Sequence, residues 1–323
     1  MGMKELPLKA NTPSKGKKWL VLGILFSLNL LIYFFRDKGF EYKDLADAKE
    51  LNENCDGNCQ QNWSDNCYSF TNQEIGQAKK ILDESLGIDT VKTDLDKTKA
   101  IALFLYKTFC EGNRKKPLTI PTNKPIDIFL MANSDRELKI ECGRASVVGY
   151  LFFYAAGLQV RTVQTIQYPD RNLSPDSHVF NEVWVKEEGK WCFTDFFRNK
   201  FLAVKGKKLL ASSELKQALA ENNGMPIEIQ ASDSSGKMIL EKWEIYPDKY
   251  LNSNYYLAYF KNCNPAMNYS VASKLKHYFL PISYYKIYAP EMKGKWNNVL
   301  FYLKDILFLV FIGYFLILLI SKK

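Results

Sequence analysis

Hydrophobic side chains form two uncharged runs, one near each end of the chain, and shorter periodic patterns between them. The first run covers residues 19–35, where Ser27 and Asn29 are the only polar, non-aromatic side chains. The second covers residues 306–320 and widens to 298–320 when two charged positions are included. Because about 17 to 25 apolar residues suffice to cross a bilayer as a helix, the pattern predicts transmembrane helices over 19–35 and 298–320.

The flanking lysines predict how such a chain would be oriented. Five lysines lie in the basic tail of residues 1–18, and loops rich in lysine and arginine favour the cytoplasmic side. Two spans would return the short tail of residues 321–323 to that side, so the intervening region would face outward. We therefore expect a bacterial inner-membrane protein whose central region lies in the periplasm or at the cell exterior. A cleaved signal peptide at residues 19–35 and a reversed orientation are the alternatives.

Between the two runs, the apolar positions change between helical and strand-like periods. Helical spacing predicts helices over residues 72–86 and 94–110. An apolar run from Cys142 to Gly157 predicts a further helix. Alternating patterns predict three strands, at residues 159–166, 178–185 and 190–195.

Helices and strands in this order predict an α+β domain over residues 71–205. A polar connector of residues 36–70 precedes this domain, and an α/β extension of residues 206–297 follows it. By the same criteria the extension contains a capped helix and two strands, at residues 212–221, 226–230 and 238–245.

Seven cysteines permit up to three disulfides and one free thiol. Three of them, Cys55, Cys59 and Cys67, lie close together in the polar connector. A zinc site would need further ligands nearby, and this cluster has neither a histidine nor a fourth cysteine. A loop stapled by disulfides is therefore the favoured interpretation, and it suits an oxidising compartment. The pairing itself stays open.

Charge and motif content exclude several classes of protein. The formal net charge is +9, but the lysines concentrate beside the apolar runs. They do not indicate the basic stripe on a folded domain that binds nucleic acid, so we expect no nucleic-acid partner. The chain has no glycine-rich phosphate loop, no His-Glu-x-x-His metal helix and no Gly-x-Ser-x-Gly elbow. We therefore expect no cofactor and no bound metal, and the sequence predicts no particular oligomeric state.

Cys142, His178 and Asp195 are the candidate catalytic residues. Cys142 begins an apolar helix, where the first-turn N–H groups lower the pKa of a thiol and can bind an oxyanion. His178 begins one predicted strand and Asp195 ends the next, so a hairpin through residues 187–189 brings them close. A thiol nucleophile needs a base, and that base needs a group that orients its ring. These residue types in this order predict a catalytic triad.

Two alternatives accompany this interpretation. Glu182 is the rival orienting carboxylate, since it shares the predicted strand face of His178. It lies four residues further along, roughly 13 Å away at about 3.3 Å per residue, and Asp195 is therefore preferred. The alternative for Cys142 is a small buried apolar side chain with no catalytic role.

The same segments resemble the core of the transglutaminase-like superfamily. The matching residues are Cys142 at a helix start, the segment 178–185 and the segment 189–195. The segment from Ala155 to Arg161 resembles the end of the family's helix and its first strand. The resemblance covers roughly residues 75–205 of the chain. It implies a papain-like arrangement in which Cys142 is the nucleophile, His178 the base and Asp195 the group that orients the imidazole.

The resemblance implies that residues 71–205 form the catalytic domain of a thiol enzyme, a cysteine protease or acyltransferase, and the two predicted spans would anchor it in the membrane. An acyl-enzyme on Cys142 would be resolved by water or by an amine, giving hydrolysis or amide exchange. The expected partners are a protein or peptide substrate and the lipid bilayer. A catalytically inactive binding or assembly module at the membrane surface is the alternative, because a fold by itself does not determine function.

Overall fold

The chain divides into two compact units in the computed structural model. One comprises residues 1–43 with 294–323, and the other comprises residues 44–293. We call them the helix-pair unit and the α+β unit. The structure describes residues 15–35, 51, 70–111, 114–117, 124–167, 178–221, 226–243, 251, 255–260, 285–288 and 296–320.

The described part of the helix-pair unit consists of α1 (Lys15–Phe35) and α7 (Trp296–Ile320). The two helices pack through Phe26 and Phe311, whose ring centroids lie 6.1 Å apart. The side-chain amide of Asn29 donates to the carbonyl of Leu307 at 3.4 Å. A polar side chain within the apolar run of α1 therefore finds an acceptor on the other helix.

The prediction of transmembrane helices at residues 19–35 and 298–320 is wrong. Among the described residues, no helix combines the length and the apolar character needed to cross a membrane. The uncharged stretch is 17 residues in α1 and 15 residues in α7, which lie at and below the lower limit of about 17 residues for a span. Charged residues limit both stretches. They are the lysines in the first turn of α1 and the consecutive residues Lys304 and Asp305 in α7. The predicted lipid partner and inner-membrane location stay predictions.

Two helices of the α+β unit begin at a threonine cap, and one of them ends at a glycine. The side chains of Thr71 and Thr93 accept hydrogen bonds from the amides of Glu74 and Asp96, which caps two helices. Gly87, with a φ of 58°, ends the first of them. In chain order the helices are α2 (Asn72–Leu86), α3 (Asp94–Phe109), α4 (Pro125–Ser134), α5 (Cys142–Ala155) and α6 (Ser212–Glu221).

The described strands of the α+β unit are β1 (Lys116–Pro117), β2 (Leu138–Lys139), β3 (Gln159–Gln167), β4 (Val179–Val185), β5 (Lys190–Thr194), β6 (Leu202–Lys205), β7 (Lys208–Leu209), β8 (Ile227–Ser232), β9 (Met238–Lys242), β10 (Tyr255–Phe260) and β11 (Tyr285–Tyr288). They form a central antiparallel sheet in the order β11-β10-β3-β4-β5 and a second antiparallel sheet in the order β7-β6-β8-β9. The short strands β1 and β2 pair in parallel. The α+β class predicted from the sequence is therefore present, with antiparallel sheets.

The central sheet is buried on both faces. One face packs on α2 to α5 through an apolar cluster that includes Val160 and Val183. The other packs on the second sheet and α6 through a cluster that includes Val163 and Phe180. Because successive strand residues point to opposite faces, β4 is buried along its whole length. Polar side chains on this strand therefore need partners inside the protein.

The central sheet contains strands from both sides of the predicted boundary at residue 205. β10 pairs with β3 along six residues, from Tyr255 opposite Gln167 to Phe260 opposite Thr162, and β11 pairs with β10. The predicted extension thus supplies two strands of the sheet that carries the candidate site. The helix and the two strands predicted within the extension are present as α6, β8 and β9.

Candidate active site

Cys142 is the first residue of α5, as the apolar run predicts. The preceding residue, Glu141, has extended backbone angles (φ −84°, ψ 154°), and its carbonyl accepts the amide of Ala145. The Cys142 side chain is half-buried and is not part of a disulfide. First-turn amides have no acceptor within their own helix and favour negative charge nearby, so this position stabilises a thiolate.

His178 is held at the start of β4 by the neighbouring strand β3. Its backbone N–H donates to Thr165 Oγ1 at 2.7 Å, and its carbonyl accepts from the Thr165 N–H at 2.8 Å. The residue is 2% exposed. Its ring stacks on Phe180 at 5.9 Å between centroids, and the Phe197 ring lies at 6.3 Å. Backbone bonds and aromatic contacts together restrict where the imidazole can point.

Asp195 directly follows β5, and its Oδ2 lies 2.7 Å from His178 Nε2. The strand ladder pairs Thr194 with Asn181, so Asp195 falls opposite Phe180 rather than opposite His178. Diagonal neighbours on one face of an antiparallel pair are close enough for longer side chains to meet. The structure therefore brings His178 and Asp195 together through a diagonal register.

His178 connects the thiol to the carboxylate. Because Nε2 faces Asp195, Nδ1 is the ring nitrogen left for Cys142, with which the ring is hydrogen-bonded. Burial lowers the pKa of His178, but the charge of Asp195 and the hydrogen bonds to Asp195 and Cys142 outweigh it and raise this pKa to about 9. Burial also opposes ionisation of Cys142, yet His178 and the Val179 amide bring the pKa of this thiol below its ordinary value. Both shifts favour a thiolate–imidazolium pair.

The surroundings of the other two described cysteines raise the pKa of the thiol instead of lowering it. Burial, as the largest cause, raises the pKa of Cys110 and of Cys192 to about 12. Cys192 is buried in the core, and Cys110 donates from Sγ to the carbonyl of Phe197 at 3.4 Å. Of these three thiols, the surroundings favour the thiolate, which is the nucleophilic form, at Cys142.

The free thiols also limit disulfide formation. Cys110, Cys142 and Cys192 are unpaired, which leaves four of the seven cysteines. Within the part of the chain that the structure describes, no disulfide includes any of these three thiols. The remaining cysteines, including the predicted stapled loop, lie outside the described residues.

Glu182, the rival orienting carboxylate, has other partners. It forms an ion pair with Arg161 and accepts the backbone amide of Ser212 at 2.5 Å. The Glu182 side chain is fully buried and the Arg161 side chain almost so. The carboxylate beside His178 is thus that of Asp195.

Some contacts at the site carry no sequence motif. Thr165 fixes the backbone of His178, the Val179 amide points to Cys142, and Phe197 lies beside the imidazole. Only the pairing of β3 with β4 could identify Thr165, because that pairing places it opposite position 178. Over the described ranges, no group of three or more His, Cys, Asp or Glu side chains is arranged to hold a metal ion.

Comparisons with known proteins yield a distant structural likeness. No family model and no curated protein matches the chain. A solved structure of a candidate cysteine protease from Cytophaga hutchinsonii is similar at 16% identity and a TM-score of 0.31. The match covers 62% of this chain and 59% of that one, so the chain spans less than two thirds of that protein. At this distance the likeness assigns neither a family nor a function.

Proposed function

We propose that this protein is a transglutaminase-like thiol enzyme that acts on amide bonds of protein or peptide substrates. The observation that carries the proposal is the hydrogen-bonded series from Cys142 through His178 to Asp195, with Cys142 at a helix N-terminus. The order of these residues in the sequence supports the same family. Acyl transfer needs a nucleophile, a proton donor for the leaving group and an orienting acid, and the site contains one of each.

In the first half of the reaction, the Cys142 thiolate attacks the amide carbonyl carbon and forms a carbon–sulfur bond. The oxyanion of the tetrahedral intermediate faces the first-turn amides of α5, which favour negative charge. His178, as imidazolium, gives its proton to the departing nitrogen while the carbon–nitrogen bond breaks. The products are a free amine, a neutral imidazole and a thioester on Cys142.

In the second half, neutral His178 takes a proton from an incoming nucleophile. Water gives a carboxylic acid, and a primary amine gives a new amide. The carbon–sulfur bond breaks, Cys142 leaves as a thiolate, and His178 is again protonated. Throughout both halves, the Asp195 carboxylate holds Nε2 and stabilises the imidazolium.

A Cys142→Ala variant tests the proposal. We expect hydrolysis of fluorescently labelled casein, or incorporation of a fluorescent primary amine into casein, to fall on the order of 10⁴-fold, because the nucleophile is lost. Iodoacetamide at neutral pH, followed by peptide mass spectrometry, should modify Cys142 in the native protein and leave Cys110 and Cys192 largely unmodified.

Cys192→Ala is the matched control, since it removes a thiol whose burial keeps it protonated. This variant should keep its activity on casein. Undiminished casein turnover in Cys142→Ala would reject the assignment of the nucleophile. The ratio of new amide to free acid then separates acyl transfer from hydrolysis.

A further inference from the structure

The turn that carries Asp195 is closed by its own backbone. We call residues 195–200 the acid turn. The amide of Asp195 donates to the carbonyl of Lys200 at 2.7 Å, and the Lys200 amide donates back to the Asp195 carbonyl at 2.9 Å. Between them lies one 3₁₀ turn, Phe196–Arg198. The orientation of this short segment therefore decides where the Asp195 carboxylate lies.

Asn199 has an unusual backbone conformation within the acid turn. Its φ of 57° makes it the non-glycine residue with positive φ among the described residues. Asparagine tolerates this left-handed region better than most residues, although the conformation still has an energetic cost. Such conformations persist where surrounding contacts enforce them, and they cluster at functional sites.

The contacts that hold Asn199 in the left-handed conformation come from the second sheet. The Asn199 side-chain Nδ2 donates to the carbonyl of Ser232 at 2.8 Å, and the Ser232 amide donates to Asn199 Oδ1 at 2.8 Å. Ser232 is the last residue of β8, which is paired with β6 on one side and β9 on the other. One side chain thus makes two well-formed hydrogen bonds to a strand that is itself fixed.

A second attachment reaches the acid turn from the helix layer. Cys110, which follows α3, donates from Sγ to the carbonyl of Phe197 at 3.4 Å. Burial keeps the pKa of this thiol at about 12, so it remains a hydrogen-bond donor near neutral pH. The acid turn is therefore held from both layers that enclose the central sheet.

We propose that Asn199 is a positioning residue of the active site, which clamps the acid turn to β8 and thereby holds the Asp195 carboxylate against His178. This role rests on the proposed function, in which Asp195 orients the imidazole. Asn199 acts four residues away from the carboxylate and through the backbone of Ser232. Loss of the clamp frees Asp195 to move away from Nε2 while the thiol stays in place on α5.

The electrostatic surroundings of His178 make this role measurable. Among the described residues, the largest effects on its ring besides burial come from Asp195 after β5 and Cys142 on α5, and Cys110 after α3 lies close enough to interact with Asp195. Asp195 is the largest cause that raises the pKa of His178. If the carboxylate moves away, this pKa should fall from about 9 toward the ordinary imidazole value of 6.5.

Titration of the His178 ring by NMR in Asn199→Gly tests the proposal. Glycine adopts the left-handed conformation without strain, so this change removes the clamp and keeps the turn geometry accessible. The chain has two histidines, and a His277→Gln background identifies the His178 signals. We expect the pKa of His178 to fall by about one unit or more, and alkylation of Cys142 by iodoacetamide at pH 7 to slow about tenfold.

Two further variants control the experiment. Asn199→Asp keeps the acceptor for the Ser232 amide but loses the donor to the Ser232 carbonyl, so the pKa of His178 should fall by less than in Asn199→Gly. If the glycine variant does not fold, Asn199→Asp provides the test. Ser232→Ala keeps both backbone groups of the clamp and should titrate like the wild type.

An unchanged His178 titration in Asn199→Gly would overturn the clamp, as would equal shifts in Asn199→Gly and Ser232→Ala. Neither readout requires a substrate. Failure of the amide chemistry would instead appear as equal casein turnover by wild type and Cys142→Ala, so the two failures are distinguishable.

Discussion

His178 has a partner on each ring nitrogen, and its protonation therefore couples Cys142 to Asp195. The folded protein binds this proton more tightly than the unfolded chain does, because the pKa of His178 is raised from 6.5 to about 9. The resulting stabilisation is fully present below pH 6.5 and is lost as the pH rises through about 9. In the proposed mechanism, the leaving group would receive this same proton.

The pH dependence of thiol alkylation tests this coupling at the scale of one residue. In the wild type, the rate of Cys142 alkylation by iodoacetamide should rise with an apparent pKa below the ordinary thiol value of 9.0. In His178→Ala, burial acts without the imidazole, so that apparent pKa should move upward and the rate at pH 7 should drop about tenfold for each unit. A small-molecule thiol provides the reference curve.

The rate of amide turnover should depend on the protonation of His178. Because it also requires imidazolium, it should decline as the pH rises through about 9. Identical alkylation curves for wild type and His178→Ala would show that the ring does not act on the thiol.

At the scale of elements, the position of α5 on the sheet depends on a glycine. A Cβ at Gly149 would lie 2.6 Å from Asn181 Oδ1 and 2.6 Å from Phe196 Cε1. Both of those side chains are buried, so neither can move aside easily. Gly149 lies two helical turns after Cys142, and the close approach that it allows sets the height of α5 above β4.

Gly149→Ala should destabilise the protein despite the better helix propensity of alanine. The propensity gain of about 1 kcal/mol is opposed by overpacking, which typically costs about 1–3 kcal/mol. We expect a lower free energy of unfolding in urea and lower casein turnover. Gly76→Ala is the control, because a Cβ at this position in α2 has no neighbour within 4 Å beyond the adjacent residues and the helix's own backbone, and it should stabilise. Stabilisation by both changes would contradict the close approach of α5.

At the scale of the whole α+β unit, a buried ion pair joins segments that are far apart in the chain. Arg161 on β3 pairs with Glu182 on β4 and donates from Nη1 to the carbonyl of Leu51 at 2.5 Å. Glu182 accepts from Ser212 at the start of α6. The guanidinium lies 4.4 Å and 4.6 Å from the ring centroids of Trp191 and Tyr259. This network links the connector, the central sheet and α6.

Glu182→Gln should destabilise the unit strongly. It leaves the Arg161 charge buried without its counter-charge, and breaking such a pair typically costs about 3–5 kcal/mol. The double variant Arg161→Met/Glu182→Leu should recover part of that loss, because it removes both charges together. Urea unfolding measures the effect, and the exposed pair Lys80–Glu84 supplies Glu84→Gln as a control with little expected change. Equal stability of Glu182→Gln and wild type would show that the pair does not hold the unit together.

Local features of the chain were predictable from the sequence alone. The helix that begins at Cys142, the strand that begins near His178 and the strand that ends beside Asp195 are visible in the spacing of apolar residues, because helix and strand periods are local properties. The α+β class follows from the order of these elements. The transmembrane prediction was wrong, because no helix among the described residues is both long and apolar enough to cross a membrane.

Only the tertiary structure decided how these elements meet. The pairing of β10 with β3, the diagonal register of Asp195 against His178 and the clamp between Asn199 and Ser232 join residues that are distant in sequence or displaced in register. Apolar periodicity records which face of an element is buried, but many partners can bury the same face. The choice of partner depends on packing and on the hydrogen bonds of buried polar groups, and these exist only once the chain has folded.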